Sequence, residues 1–197
     1  MAKLLPRLVF WSLHLWVLGY TAVLGVALLL QFVGGELPCP LCMLQRYGMI
    51  LTTLGALWII RDARNGTLTP VRYLQCLGLG ALGAFAGSAF ADRQVLLHIL
   101  PGDPGFGGPI MGLHLYSWSL ITFLVVIVFT AILGILAPTA MPEAPPEKSF
   151  EAKLSSAVVV AFLAVVAINA VMIVFLEGFA WVLPDDPSRY NLFSQLG

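Results

Sequence analysis

The sequence predicts an all-α membrane protein, with a core of four transmembrane helices and a fifth, C-terminal transmembrane helix. Three observations carry this. Of the 197 residues, 59% are hydrophobic and 10% charged, against roughly 25% charged in soluble domains, which leaves too little polar surface to coat a water-soluble body. Mean hydropathy is +0.94. Five apolar runs, Leu8–Phe32, Met43–Ile60, Leu74–Phe90, Tyr116–Leu136 and Ser156–Leu176, come close to or pass the length of about 20 residues that crosses a hydrocarbon core of about 30 Å. Backbone polar groups in lipid must pair within their own segment, so these runs are helices.

The first run is too long for the apolar region of a cleavable signal, and no small-residue cleavage site follows it. The second and third are the shortest and need snorkelling flanks or little tilt. They are joined by the basic Arg61–Val71 segment, whose Asn65-Gly66 marks a turn. In the third run Gly80, Gly83, Ala84 and Gly87 recur at helical spacing and predict a close helix–helix contact. The longest outer connection is Asp92–Leu115. Within it Gln94–Leu100 fits a short helix lying in the membrane interface, followed by the Pro/Gly-rich stretch Pro101–Pro109. Pro138–Pro146 holds four prolines and reads as an extended linker. The chain accordingly divides into residues 1–137, a bundle of the first four spans; 138–153, a Pro-rich linker; and 154–197, the fifth helix and a tail.

Charge sets the orientation. Lys3, Arg7, Arg61, Arg64, Arg72, Lys148 and Lys153 fall on one side, and Arg46, Arg93 and Arg189 on the other. The positive-inside rule places the first set, with the N-terminus, in the cytoplasm. The loop before the second span and the tail Phe179–Gly197 then face outside, the periplasm in a Gram-negative cell, where disulfides persist. Zero net charge gives no sign of a nucleic-acid partner.

The chemistry-bearing feature is Cys39-Pro40-Leu41-Cys42, between the first two spans. A two-residue spacer lets two thiols form and break a disulfide with a depressed thiol pKa. Cys42 lies near a helix N-terminus, whose partial positive charge favours a thiolate. Arg46, one turn on, would stabilise that thiolate or a reduced quinone oxygen. Pro38 and Pro40 stiffen the loop and keep helix from running back through the pair. The competing reading is two unrelated small residues in a loop. Zinc asks for about four ligands, and no second cysteine pair exists.

Plainer readings attend the other polar residues. Arg46 could be an interfacial snorkelling anchor, and Gln31 could bond a neighbouring helix. Arg93 and Gln94 border the outer rim, where a solvated loop is the ordinary reading. His98 and His114 could form half a metal site, with interfacial packing favoured. His14 reads as a buried, hydrogen-bonded histidine and Cys76 as a packed thiol. Trp58, Tyr116, Trp118 and Trp181 read as belt aromatics. Asn169, within the fifth span, faces a helix or a partner subunit.

Gln31, then Pro38-Cys39-Pro40-Leu41-Cys42, then Gln45-Arg46-Tyr47 resembles the bacterial disulfide bond formation protein B family of quinone-dependent thiol oxidases. Asp92-Arg93-Gln94 with Leu97-His98-Ile99-Leu100-Pro101, and Gly112–Trp118, resemble that family's second outer loop and its entry into the fourth span. The resemblance covers roughly Leu8–Leu136. It implies an antiparallel four-helix transmembrane bundle holding ubiquinone or menaquinone near the outer face of the bacterial inner membrane. Cys39, Cys42 and Arg46 would be catalytic, with Cys42 the quinone-proximal sulfur and Cys39 the exchange sulfur facing the outer loop. Gln31, Cys42, Arg46 and Gln94 would contact the quinone. The implied electron donor is a periplasmic thiol oxidoreductase or another dithiol protein.

The chain departs from that pattern. The family's second cysteine pair, which takes electrons from the soluble partner, is absent: Asp92–Leu115 holds no cysteine, and Phe106-Gly107 stands where Cys-Gly would fall. The fifth span is a further departure. A disulfide-generating thiol–quinone oxidoreductase therefore stands beside a second expectation, a non-catalytic quinone-binding or structural subunit of a larger membrane complex. A chaperone-like or transporter role is disfavoured, because the spans lack the buried carboxylates of proton-coupled transport.

Overall fold

A computed structural model describes residues 4–185 and 187–196. Lys3, counted in the charge asymmetry, and Gly197, the last residue of the predicted tail, lie outside the described residues. Five long helices, α1 (Leu4–Val33), α2 (Pro40–Arg64), α3 (Pro70–Leu97), α4 (Leu115–Leu136) and α5 (Phe150–Glu177), are followed by a 3-10 turn at Gly178–Ala180 and a short α6 (Asn191–Leu196). All five long helices have the length and composition of membrane spans, and the fold is that of an all-α, multi-pass membrane protein.

Three of the long helices begin where the sequence supplies a side-chain partner for the unpaired N–H groups of the first turn. Thr69 and Ser149 cap α3 and α5 by accepting the backbone N–H of Arg72 and Ala152. Cys39 does the same for α2 with its sulfur, and Pro40 occupies the first helical position, where proline's missing N–H costs nothing. The prolines therefore start the helix at Pro40 and carry Cys42 into it. Helix does not run back past Pro40, and Cys39 keeps an extended backbone.

One expectation about connections changes. Gln94–Leu97 is the last turn of α3, and no separate interfacial helix forms over Gln94–Leu100. The polar Asp92-Arg93-Gln94 does not end the helix, because Gln94 turns inward while Asp92 and Arg93 stay exposed. The proline-rich linker is free of helix over 140–146 and packs against the bundle. Ala140, Pro142 and Pro145 are buried, and the Glu143 N–H donates to the Pro6 carbonyl at the start of α1.

α2 packs most closely against α3, and α3 against α4. Glycine explains how near the backbones come. A Cβ on Gly48 would stand 2.7 Å from the Gly87 Cα, and one on Gly83 would stand 2.7 Å from the Thr52 nitrogen. Gly55 similarly faces the Cys76 carbonyl. The small-residue stripe of α3 thus meets a matching stripe on α2, as such stripes do in lipid. Gly83→Val is expected to force these backbones apart and to destabilise by about 1–3 kcal/mol or more. Gly19→Ala, where a Cβ meets nothing within 4 Å, serves as the control, expected to stay within about 0.5 kcal/mol. Thermal unfolding of the two variants in detergent checks the difference.

α5 lies along α1, and Val158 and Phe162 join the same buried cluster as Phe10, Leu13 and Val17. α1 and α4 approach through large side chains, Trp16 against Phe129 and Tyr20 against Phe123. An apolar groove runs between these two helices.

Candidate functional site

Cys39 and Cys42 are joined as a disulfide, their Cα atoms 5.0 Å apart. The Cys42 backbone N–H donates to the Cys39 sulfur at 3.2 Å, so the first turn of α2 directs its positive end at the pair. The two sulfurs differ in surroundings. Cys42 lines a cavity bounded by α1, α2, α3, α4 and the loop between α3 and α4, with Leu24, Met49 and Phe106 among its walls. Cys39 does not line it and is 6% exposed. As the helix cap, Cys39 has its side chain drawn against the first turn and under Gln94.

Gln94, 1% exposed, is the side chain from α3 that touches both sulfurs. Its Nε2 donates toward Cys39 at 3.5 Å and Cys42 at 3.6 Å. Gln45, one turn into α2, donates to the Gln94 Oε1 at 2.6 Å. With the oxygen taken by Gln45, the amide presents its N–H face to sulfur, which favours a thiolate over a thiol. Gln94→Glu would turn a negative carboxylate toward that sulfur. Alkylation of the reduced protein at neutral pH is expected to slow about tenfold, because the carboxylate opposes the thiolate that reacts. Measuring the alkylation rate against pH checks it.

Arg46 is buried and held by two helices besides its own. Its Nη1 donates to the Gln31 Oε1 of α1 at 2.9 Å and to the Asn169 Oδ1 of α5 at 3.4 Å, and its Nη2 donates to the Ala27 carbonyl at 3.2 Å. A guanidinium has five N–H groups. Three are used here, leaving Nε–H and one Nη2–H without a protein acceptor among the described residues, and Arg46 lines the same cavity as Cys42. Arg46 is thus a buried cation rather than a snorkelling anchor. Gln31 bonds across helices, as its plainer reading had it, and the group it bonds is this cation.

The loop between α3 and α4 is closed by a stack. The Tyr116 ring lies between His98 and His114, with centroids 5.6 and 5.2 Å away. His98 Nδ1 is 3.0 Å from the Asp103 carboxylate, which also accepts the Gly105 N–H at 2.7 Å. His114 Nδ1 donates to the Gly107 carbonyl at 3.0 Å. Both histidine rings stack on Tyr116, which is itself buried. The Gly105 N–H, with the His98 ring, holds the Asp103 carboxyl below its ordinary value. A depressed pKa gives a stabilisation that is present above the ordinary aspartate value and lost as pH falls through the lowered one. Proteolysis within 101–113 is expected to accelerate below about pH 4. It should do so at neutral pH in Asp103→Ala.

Elsewhere, His14 bonds the Phe10 carbonyl at 2.9 Å and the Ser155 hydroxyl of α5 at 2.8 Å. Cys76 is a buried free thiol on α3. Arg93 is exposed. Two residues at the site were not singled out as functional from sequence, Gln45 and Asn169. Gln45 could have been found from its place beside Arg46 at the start of a span. Asn169 carried a signal too, since an amide deep in an apolar helix must find a partner.

Fold and site together define a multi-pass helical membrane protein with a Cys-x-x-Cys disulfide at the edge of an intramembrane cavity. The family model for disulfide bond formation protein DsbB matches residues 10–106. Disulfide bond formation protein B 1 of Pseudomonas fluorescens strain Pf0-1 is 32% identical over 137 residues, which span 57% of this chain and 81% of that protein. Disulfide bond formation protein B of Burkholderia thailandensis is 33% identical over 54% of this chain and 78% of its own length. That of Chromobacterium violaceum is 39% identical over 80 residues, 46% of its length. The chain belongs to the disulfide bond formation protein B family. No solved structure matches it. The family model ends at residue 106 and so reaches neither α4 nor α5.

Proposed function

We propose that the protein is a membrane oxidoreductase of disulfide formation, passing electrons from thiols outside the membrane through Cys39–Cys42 to a membrane quinone. The observation that carries this reading is the shared cavity. It is lined by both Cys42 and the buried Arg46, two of whose five N–H groups have no protein acceptor among the described residues.

Those residues fit a quinone. Arg46 would hold a ring oxygen, Cys42 would stand against the ring, and the walls contributed by Leu24 and Met49 suit an apolar ring. Val23 is common to this cavity and to the groove between α1 and α4, which gives a prenyl tail a lipid-facing path. Bound there, ubiquinone or menaquinone supplies an acceptor for two electrons and two protons.

The chain's own steps balance as follows. An external thiolate attacks Cys39; the Cys39–Cys42 bond breaks and Cys42 leaves as a thiolate, favoured by the Gln94 amide and the helix terminus. The donor's second thiol attacks the mixed disulfide, releases Cys39 as a thiol and forms the donor's disulfide. Re-forming Cys39–Cys42 yields two electrons, and the two protons given up by the donor thiols balance them. Because Cys39 is covered, its neighbours must part before a protein thiol reaches it, since exchange needs access to sulfur.

The thiol donor on this reading is a periplasmic thiol oxidoreductase or another dithiol protein, and the location is a bacterial inner membrane with the N-terminus in the cytoplasm. Support comes from the lysine and arginine asymmetry. Reporter fusions at Gly66 and after Leu196 should report cytoplasm and periplasm respectively; the reverse would invert the scheme. The covered Cys39 and the cysteine-free outer loop favour the second reading, a non-catalytic subunit of a larger membrane complex. Purified protein given a small dithiol and a short-chain quinone decides between them. Steady quinol production by an isolated protomer is expected, and its absence together with a stable co-purifying assembly would favour the subunit.

A further inference from the structure

α5 lies beyond the region matched by the family model, yet it places a polar atom on the guanidinium at the cavity. Asn169 is 1% exposed, in an otherwise apolar stretch of α5. An amide there is costly unless both of its ends are bonded. Its Nδ2 donates to the Val165 carbonyl one turn back at 2.9 Å, which turns its Oδ1 forward. That oxygen accepts from the Arg46 Nη1, beside the Gln31 Oε1 that shares the same nitrogen.

The height of α5 is fixed by a second buried polar contact, His14 Nε2 to the Ser155 hydroxyl at 2.8 Å. Ser155 and Asn169 are separated by about 21 Å along the helix at 1.5 Å per residue. Their α1-side partners, His14 and the Ala27–Gln31 turn, are spaced comparably along α1. α5 therefore lies parallel to α1 in one register, pinned near both ends of the shared contact. Packing alone would leave an apolar helix free to slide or rotate on another in lipid, where hydrocarbon solvates both equally well.

We propose that Asn169 is a positioning residue for Arg46, so that the fifth helix is a working part of the cavity. Gln31 and Asn169 occupy both N–H groups of Nη1, and Ala27 takes one of Nη2. The fork is thereby oriented so that Nε–H and the second Nη2–H are the donors left for a ligand oxygen. Without Asn169, one Nη1–H would turn to the next acceptor and the fork would no longer be fixed. This rests on the quinone reading above and deepens it.

The test measures binding of a short-chain ubiquinone analogue to the full-length protein by quenching of tryptophan fluorescence. Asn169→Leu, similar in size and compatible with lipid, is expected to raise Kd about three- to tenfold, as loss of one interhelical polar contact implies. Ser155→Ala removes the other pin. It is expected to lower thermal stability while leaving Kd within about twofold, since it touches no group at the cavity. In an Arg46→Lys background, which lacks the fork, Asn169→Leu is expected to add little. An unchanged Kd in Asn169→Leu, an equal shift in Ser155→Ala, or a full effect persisting beside Arg46→Lys would each overturn the inference while leaving the proposed function intact. Failure of the unaltered protein to bind the analogue would overturn the proposed function, and this inference with it.

Discussion

Replacing Cys42 by serine is expected to lower dithiol-dependent quinone reduction by at least about a thousandfold, the scale seen when a nucleophile is removed from a covalent mechanism. The sulfur at position 42 is the one that lines the cavity, and a hydroxyl there neither forms a disulfide with Cys39 nor carries electrons. Cys39→Ser should fail to the same extent for a different reason, because the donor then has no disulfide to attack. The two variants separate in a trapping experiment. Cys42→Ser retains a sulfur at position 39, which can hold a mixed disulfide with a donor carrying a single cysteine. Cys39→Ser keeps its thiol on the cavity side, where such a donor should not be captured. Rates of quinol formation together with non-reducing gels check both.

Arg46→Gln is expected to produce the second largest loss, about a hundredfold in kcat for quinone reduction, the scale of removing one preorganised donor from a site of developing negative charge. The residue is buried on three protein acceptors, so its charge is not screened by solvent as a surface arginine's would be. The dithiol step should be nearly spared, because the contacts that favour the Cys42 thiolate come from Gln94 and the α2 terminus. The expected signature is therefore a fall in kcat with a raised KM for quinone and an unchanged rate of disulfide reduction. A variant that slowed reduction of Cys39–Cys42 as much as quinone turnover would place Arg46 on the thiol side of the mechanism. Arg46→Lys should recover part of kcat, since it keeps the charge without the fork.

Much of this was legible in the chain. Five spans follow from apolar length, and the site's first three members, Cys39, Cys42 and Arg46, follow from their spacing at a span's start. Gln31 and Gln94 needed the family resemblance, since a lone glutamine near a span end says little about what it bonds. What stayed hidden depends on contacts between residues far apart in sequence. Gln94 sits in a polar triplet that reads as the end of a helix, and its inward turn depends on sulfurs over fifty residues earlier. The capping role of Cys39 was also hidden: proline is a good helix starter at the first position, so α2 begins at Pro40 and the cysteine before it becomes the cap. Tyr116 and the two histidines each looked interfacial, and a stack among three side chains leaves no periodic trace. The docking of α5 depends on His14–Ser155 and Arg46–Asn169, pairs separated by more than a hundred residues.

The central claim, that electrons leave the Cys39–Cys42 pair for a quinone in the adjoining cavity, is tested most directly by a single turnover. Protein reduced at the pair, freed of excess dithiol and kept without oxygen, is mixed with ubiquinone of short chain length. The loss of quinone absorbance and the return of the disulfide are then followed together. Equal amounts of quinol and of re-formed Cys39–Cys42 disulfide, appearing at one rate, are the predicted result. A pair that stays reduced while quinone persists, or quinol formed at the same rate in Cys42→Ser, would contradict it.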